Sequence, residues 1–187
     1  LLSRVISNCG AKEIHGIEIN PKIYSTAKKL HKNFNIQNSD SCFADLSDNE
    51  YDLIISELPL GLRVSPFTSD WLDFKITDVS YGIMANSLKH LSAKGTAIFS
   101  CLESIFWTTN GLKFIQSLRE NGYYVNAVFK QQDSRLNTIV PTCLIKITKE
   151  QSETIFVAQC SHDINANKNI ISNYKHKVST DRIPKNR

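Results

Sequence analysis

The sequence predicts an α/β fold with a largely parallel sheet, and three observations carry that expectation. Strand-length apolar runs alternate with segments whose apolar residues recur at helical spacing. Acidic residues stand at the ends of three of the early runs, where open α/β sheets gather their reactive groups. The alternation breaks once, near the end, where two strands follow each other as an antiparallel edge pair requires.

Leu1 to Asn8 reads as the end of a helix closed by Gly10, a residue suited to a left-handed cap. Glu13 to Ile19 is a short strand with Ile14, Ile17 and Ile19. Asn20-Pro21 then opens a helix, because Asn caps and Pro at the first helical position gives up no needed donor. Ile23, Ala27, Leu30 and Phe34 form its apolar stripe. A strand is expected over Ser41 to Ala44, ending at Asp45, and another over Leu53 to Ile55, running into the turn Glu57-Leu58-Pro59-Leu60-Gly61.

Arg63 to Ser69, with Pro66 and several Ser/Thr, reads as a loop. Asp73 to Leu91 reads as one long helix carrying Ile76, Val79, Ile83, Met84, Leu88 and Leu91. Lys94-Gly95 turns into the strand Thr96 to Ser100. A helix over Gly111 to Asn121 ends at Gly122 in the capping place. Tyr123 to Phe129 and Cys143 to Thr148 are strands joined by a polar loop containing Gln131 to Asn137. A short strand, Thr154 to Ala158, and a weak helix around Asn167 to Lys175 close the chain. The expected organisation is one domain over 1–160 and a helix with a basic tail over 161–187.

At 187 residues, 41% hydrophobic and 21% charged, the chain can bury a sizeable core. No apolar run approaches membrane-spanning length, and the N-terminus lacks a secretory pattern. Five scattered cysteines with no Cys-x-x-Cys pair read as reduced thiols in a cytoplasmic protein, with no zinc site. From Lys168 onward six Lys/Arg face Asp181 alone, a net +5 against +4 for the whole chain. The body is therefore close to neutral, and the basic end reads as a solvated terminus before it reads as a phosphate-binding arm.

Glu18, Asp45 and Glu57 end successive expected strands and are the candidates for chemistry. An acid at the Glu18 position can accept from both hydroxyls of a ribose; a solvated strand-end carboxylate is the alternative. Asp45 can accept from an adenine amino group, or simply open a turn. The five histidines form no ligand spacing and no nucleophile–base arrangement. Arg63 can meet a phosphate or be a solvated loop residue. Trp71 and Phe106-Trp107 can stack on bases or serve packing.

The order strand–acid–helix, strand–acid, strand–Pro/Gly turn resembles motifs II, III and IV of class I S-adenosylmethionine-dependent methyltransferases, the adenine-N-6 DNA methylases in particular. The passage Tyr51-Asp-Leu-Ile-Ile-Ser-Glu-Leu-Pro-Leu-Gly61 is similar to their motif IV, Asp-x-x-x-x-Asn-Pro-Pro-aromatic-Gly. Glu57 stands in place of Asn, Leu58 of the first Pro and Leu60 of the aromatic, while Pro59 and Gly61 match. Ser87 to Phe99 resembles the family's Lys/Pro-Gly-Gly passage into strand five. Lys113 to Phe129 and Thr138 to Lys149 resemble the late part of type I restriction-modification methylase subunits.

The resemblance covers roughly Leu1 to Tyr174. It implies a Rossmann-like sheet and S-adenosylmethionine as cofactor, held by Glu18 with Ile19 and by Asp45. It implies an acceptor site at Glu57, Leu58, Pro59 and Leu60, without a metal. DNA is the implied partner, with specificity or other restriction-modification subunits beside it. It also implies a central strand and glycine-rich turn, motif I, ahead of Leu1. Two further readings stay open: a non-catalytic binding or assembly module of the same fold, and methylation of another amine in RNA or protein.

Overall fold

The computed structural model describes residues 8–46, 50–131 and 140–176. Strand β1 (His15–Ile17), helix α1 (Pro21–Leu30) and strand β2 (Asn35–Gln37) come first, with β1 and β2 paired in parallel. Asn20 caps α1 as its sequence position predicts, its Oδ1 accepting from the amides of Lys22 (2.9 Å) and Ile23 (3.2 Å). The helix stops at Leu30, where the His31 amide bonds back to Ala27. Phe34 therefore lies outside the expected stripe and stacks on His31 instead.

Strand β3 (Tyr51–Glu57) pairs in parallel with the long β6 (Leu91–Leu102), setting Glu57 opposite Ser100. β8 (Thr142–Thr148) lies between β6 and β7 (Tyr124–Lys130), antiparallel to both, and β9 (Phe156–Gln159) adds parallel to β7 at the outer edge. The five-stranded order is β3-β6-β8-β7-β9. The architecture is α/β with a mixed sheet, mostly parallel with an antiparallel pair, as expected, and the antiparallel strand β8 sits inside the sheet. Its composition explains the place: Cys143, Ile145 and Ile147 are fully buried, so β8 has a neighbour on each side.

Three expectations are corrected. Ser41 to Ala44 is a turn, not a strand. The Asp40 carboxylate accepts the Cys42 amide at 2.9 Å and the Phe43 amide bonds the Asp40 carbonyl, so the side chain competes with extended pairing. Arg63–Thr68 is not a loop but strand β4, antiparallel to β5 (Lys75–Asp78); a register irregularity between Arg63 and Phe67 takes up Pro66, which has no amide to donate. The long helix begins at Val79 and ends at Lys89 (α2), because Asp78 caps it by accepting the Ser80 amide at 2.9 Å. Ile76 and Leu91 are core residues as expected, yet they reach the core from flanking strands.

A 3₁₀ turn (Glu103–Phe106) leads into α3 (Thr109–Glu120), capped by Thr108 and closed by Gly122 at φ 82°. Gly111 allows the helix to press on that turn: a Cβ there would stand 2.3 Å from the Ile105 carbonyl oxygen. The core gathers Phe99, Phe114, Met84, Leu88, Leu118 and Ile145 between sheet and helices. The last helix, α4 (Ile164–His176), docks Tyr174 against Phe129 and Phe156, and Lys146 donates to its hydroxyl at 2.8 Å. Leu1 to Ser7, most of the loop containing Gln131 to Asn137, and the basic tail from Lys177 lie outside the described residues. Among the described residues no helix is long and apolar enough to cross a membrane.

Candidate active site at the strand ends

Of the three sheets, the β1-β2 pair and the five-stranded sheet meet at both ends of their strands. At the amino-terminal end, the Tyr51 hydroxyl and His15 Nδ1 are 3.1 Å apart, while His15 Nε2 faces Glu13 at 2.8 Å. At the other end, the turn after β2 and the turn after β3 converge on the start of α2. The Val79 amide bonds the Leu62 carbonyl at 3.0 Å, and the Val79 carbonyl receives the Cys42 thiol at 3.5 Å. Ser80 Oγ donates to the Pro59 carbonyl at 2.6 Å, and Asn86 Nδ2 donates to the carbonyls of Ser41 and Ala44, each at 3.0 Å. Gly82 leaves room for this closure, since a Cβ there would lie 2.7 Å from Cys42 Sγ.

Glu57 is exposed at the carboxyl end of β3. The next residue turns inward: Leu58 is 1% exposed, and its amide bonds Ser100 at 3.0 Å. Pro59 and Leu60 are half-buried, and Gly61 takes φ 70°, the left-handed conformation that suits glycine. The turn is thus anchored from below by Leu58 and from behind by Ser80, leaving the carboxylate at the rim. The Pro59 carbonyl is already an acceptor for Ser80.

On the other side, Glu18 is half-buried and Ile19 exposed at the end of β1. Glu18 Oε1 accepts the Asn20 amide at 2.7 Å, which fixes the carboxylate beside the α1 cap. A carboxylate offers about four lone-pair sites, so acceptor capacity for two hydroxyls is retained. Asn38 Nδ2 donates to the carbonyls of Glu18 (2.7 Å) and Ile19 (3.1 Å), tying this end to that of β2. These acceptors suit the hydroxyl-rich part of a nucleoside.

Asp45 is exposed but stands well past β2, which ends at Gln37. Sequence reasoning passed over Asp40, the acid nearer that strand end; the signal available was the Asn38-Ser-Asp40-Ser run, turn chemistry that ends a strand. The Asp40 and Asp78 carboxylates surround Cys42, and burial first, then Asp40, push its thiol up to about 12. Cys42 is therefore a packed thiol and no nucleophile at neutral pH.

The remaining candidates separate. Arg63 is exposed just past the turn. Trp71 packs on Tyr123 at 5.0 Å between ring centres, and Phe106 packs against the core. Trp107 is 59% exposed. Burial, then Asp78, raise the Tyr81 hydroxyl above its ordinary value.

No family model and no curated protein matches the chain. Solved structures do match its fold. A protein of Listeria monocytogenes assigned to the class I S-adenosylmethionine-dependent methyltransferases superposes with a TM-score of 0.76 at 14% identity, over 93% of this chain and 59% of that one. The methyltransferase subunit of a type I restriction-modification system from Streptococcus thermophilus gives 0.75 at 17% identity, over 90% and 43%. A modification subunit assigned to a type I restriction enzyme of Vibrio vulnificus gives 0.71 at 11%, over 89% and 42%. The chain spans less than two thirds of each of these proteins. The likeness shows the fold, a Rossmann-like methyltransferase sheet.

Proposed function

We propose that the chain is the methyl-transfer domain of an S-adenosylmethionine-dependent methyltransferase acting on the 6-amino group of adenine in DNA. The observation that supports this reading is the convergence of the β2 and β3 turns on Val79, with Glu57 at the end of β3 and Glu18 tied to the end of β2 through Asn38. The fold it shares with type I modification subunits supports it, as does the turn's likeness to motif IV.

Glu18 with Ile19 holds the cofactor's ribose, and the loop after β2, with Asp45 exposed on it, meets its adenine. Bound S-adenosylmethionine supplies the electrophilic methyl on a sulfonium. As the methyl–nitrogen bond forms, the methyl–sulfur bond would break and S-adenosylhomocysteine would leave, and the proton the acceptor nitrogen gives up would pass to solvent. The Glu57 carboxylate and the Leu58 carbonyl accept the two amino hydrogens, orienting the nitrogen lone pair toward the methyl, and the rest is positioning. DNA and the specificity or other subunits of a restriction-modification assembly are the partners, in the cytoplasm.

The turn that supports this reading also predicts slow transfer. Glu57 sets a negative charge before a phosphate-rich substrate, and Leu60 offers no ring for a flipped base. The variant Glu57→Asn/Leu58→Pro/Leu60→Phe in the full-length protein should raise tritiated methyl incorporation into adenine-containing duplex above wild type. Robust wild-type incorporation that falls in the triple variant would make Glu57 an adapted catalytic residue instead. No incorporation by either, with S-adenosylmethionine bound, would favour the other-amine or non-catalytic readings.

A further inference from the structure

We infer that Trp107 provides the stacking face for the acceptor base that the turn itself lacks. The inference rests on the reading of the turn as an acceptor site for a nucleobase. β3 and β6 run in parallel, with Glu57 opposite Ser100 and the Leu58 amide bonded to the Ser100 carbonyl. The segments 57–61 and 102–107 therefore follow the carboxyl ends of two adjacent parallel strands. The first turn of α2 holds the former, Ser80 Oγ donating to the Pro59 carbonyl, and reaches α3, the helix that follows Trp107, where Tyr81 stacks on Phe114.

The other aromatic rings near these strand ends are committed. Tyr81 stacks on Phe114 at 4.5 Å, Phe106 lies on the core, and Phe67 packs on Phe43. The Trp107 ring makes no aromatic contact among the described residues and stays 59% exposed on a segment pinned by the Trp107 amide to Ser104 and by the Thr108 cap. A large, flat, wet indole on a rigid turn costs little to order on binding, and it offers a π-face to any base. Its occupant is an extruded adenine-type base lying against the Glu57 turn.

The test is titration of the full-length protein with a short single-stranded oligonucleotide carrying 2-aminopurine at one position, and with its abasic twin at that position. Indole and 2-aminopurine fluorescence are both read. Mutual quenching should appear with the base and vanish with the abasic strand. Trp107→Ala should weaken base-dependent binding roughly tenfold or more, Trp107→Phe should restore most of it, and S-adenosylmethionine affinity should stay unchanged in both. Trp107→Ala that binds and methylates like wild type overturns the inference and leaves the methyltransferase reading standing. Base-dependent quenching in a protein that transfers no methyl supports the inference and removes the reading of the reaction. Wild type that binds S-adenosylmethionine without base-dependent quenching overturns the inference.

Discussion

The unit β1–α1–β2 and the five-stranded sheet with its helices hold themselves together by different means. In the sheet, α2 and α3 bury Met84, Leu88, Phe114 and Leu118 almost completely. In the first unit α1 buries no residue, and Ile23 and Leu30 remain 54% and 72% exposed. What fixes that unit is polar: the Asn20 cap, Asn38 on the β1 end, the His15–Tyr51 contact and the turn around Cys42. An apolar stripe at helical spacing is therefore a statement about one face of a helix and not about what covers it. The Glu57–Gly61 turn is built on the well-packed side, while Glu18 is built on the polar one.

The comparison breaks most clearly in stability. Phe114→Ala removes a fully buried ring and should cost about 3–5 kcal/mol, whereas Ile23→Ala on the exposed α1 stripe should cost less than about 1 kcal/mol. Chemical denaturation of the two variants measures both. Equal costs would mean that α1 is covered as firmly as the core. A smaller effect sharpens the boundary between the two regions. Cys42 lies at the junction, buried against Val79 and Gly82, and its thiol is held protonated. The Cys101 thiol is likewise raised, by its contact with Cys143 at 3.8 Å and then by burial. Native-state alkylation at neutral pH, followed by mass mapping, should label exposed Cys9 first and leave Cys42, Cys101 and Cys143 unmodified. Early labelling of Cys42 would mean that the junction opens.

Much of the sheet was legible in the sequence, because Leu53 to Ile55, Thr96 to Ser100 and Cys143 to Thr148 carry the apolar runs that strands need. Element ends were less so. Ile76 and Leu91 satisfy helical spacing with Met84 and Leu88, and only the Asp78 cap shows where the helix starts. The strand before Asp45 was misplaced because Cys42-Phe43-Ala44 is as apolar as a strand. The deciding interaction, the Asp40 carboxylate on the Cys42 amide, is local and polar. Strand order was out of reach: the position of β8 between β6 and β7 depends on pairings between residues far apart in the chain. At the site, Glu18 and Glu57 were legible from their places at strand ends. The meeting of the two turns at Val79 was not, since it is made by backbone groups and small side chains.

The central claim is that the polar unit and the packed sheet together hold S-adenosylmethionine, and calorimetric titration of the full-length protein tests it most directly. S-adenosylmethionine should bind saturably at one site per chain. Glu18→Ala should weaken that binding at least about tenfold, on the scale of one lost charged hydrogen-bond partner, while leaving the fold intact. Binding by wild type with unchanged affinity in Glu18→Ala would remove Glu18 from the site. Absence of binding by the folded wild-type protein would contradict the claim.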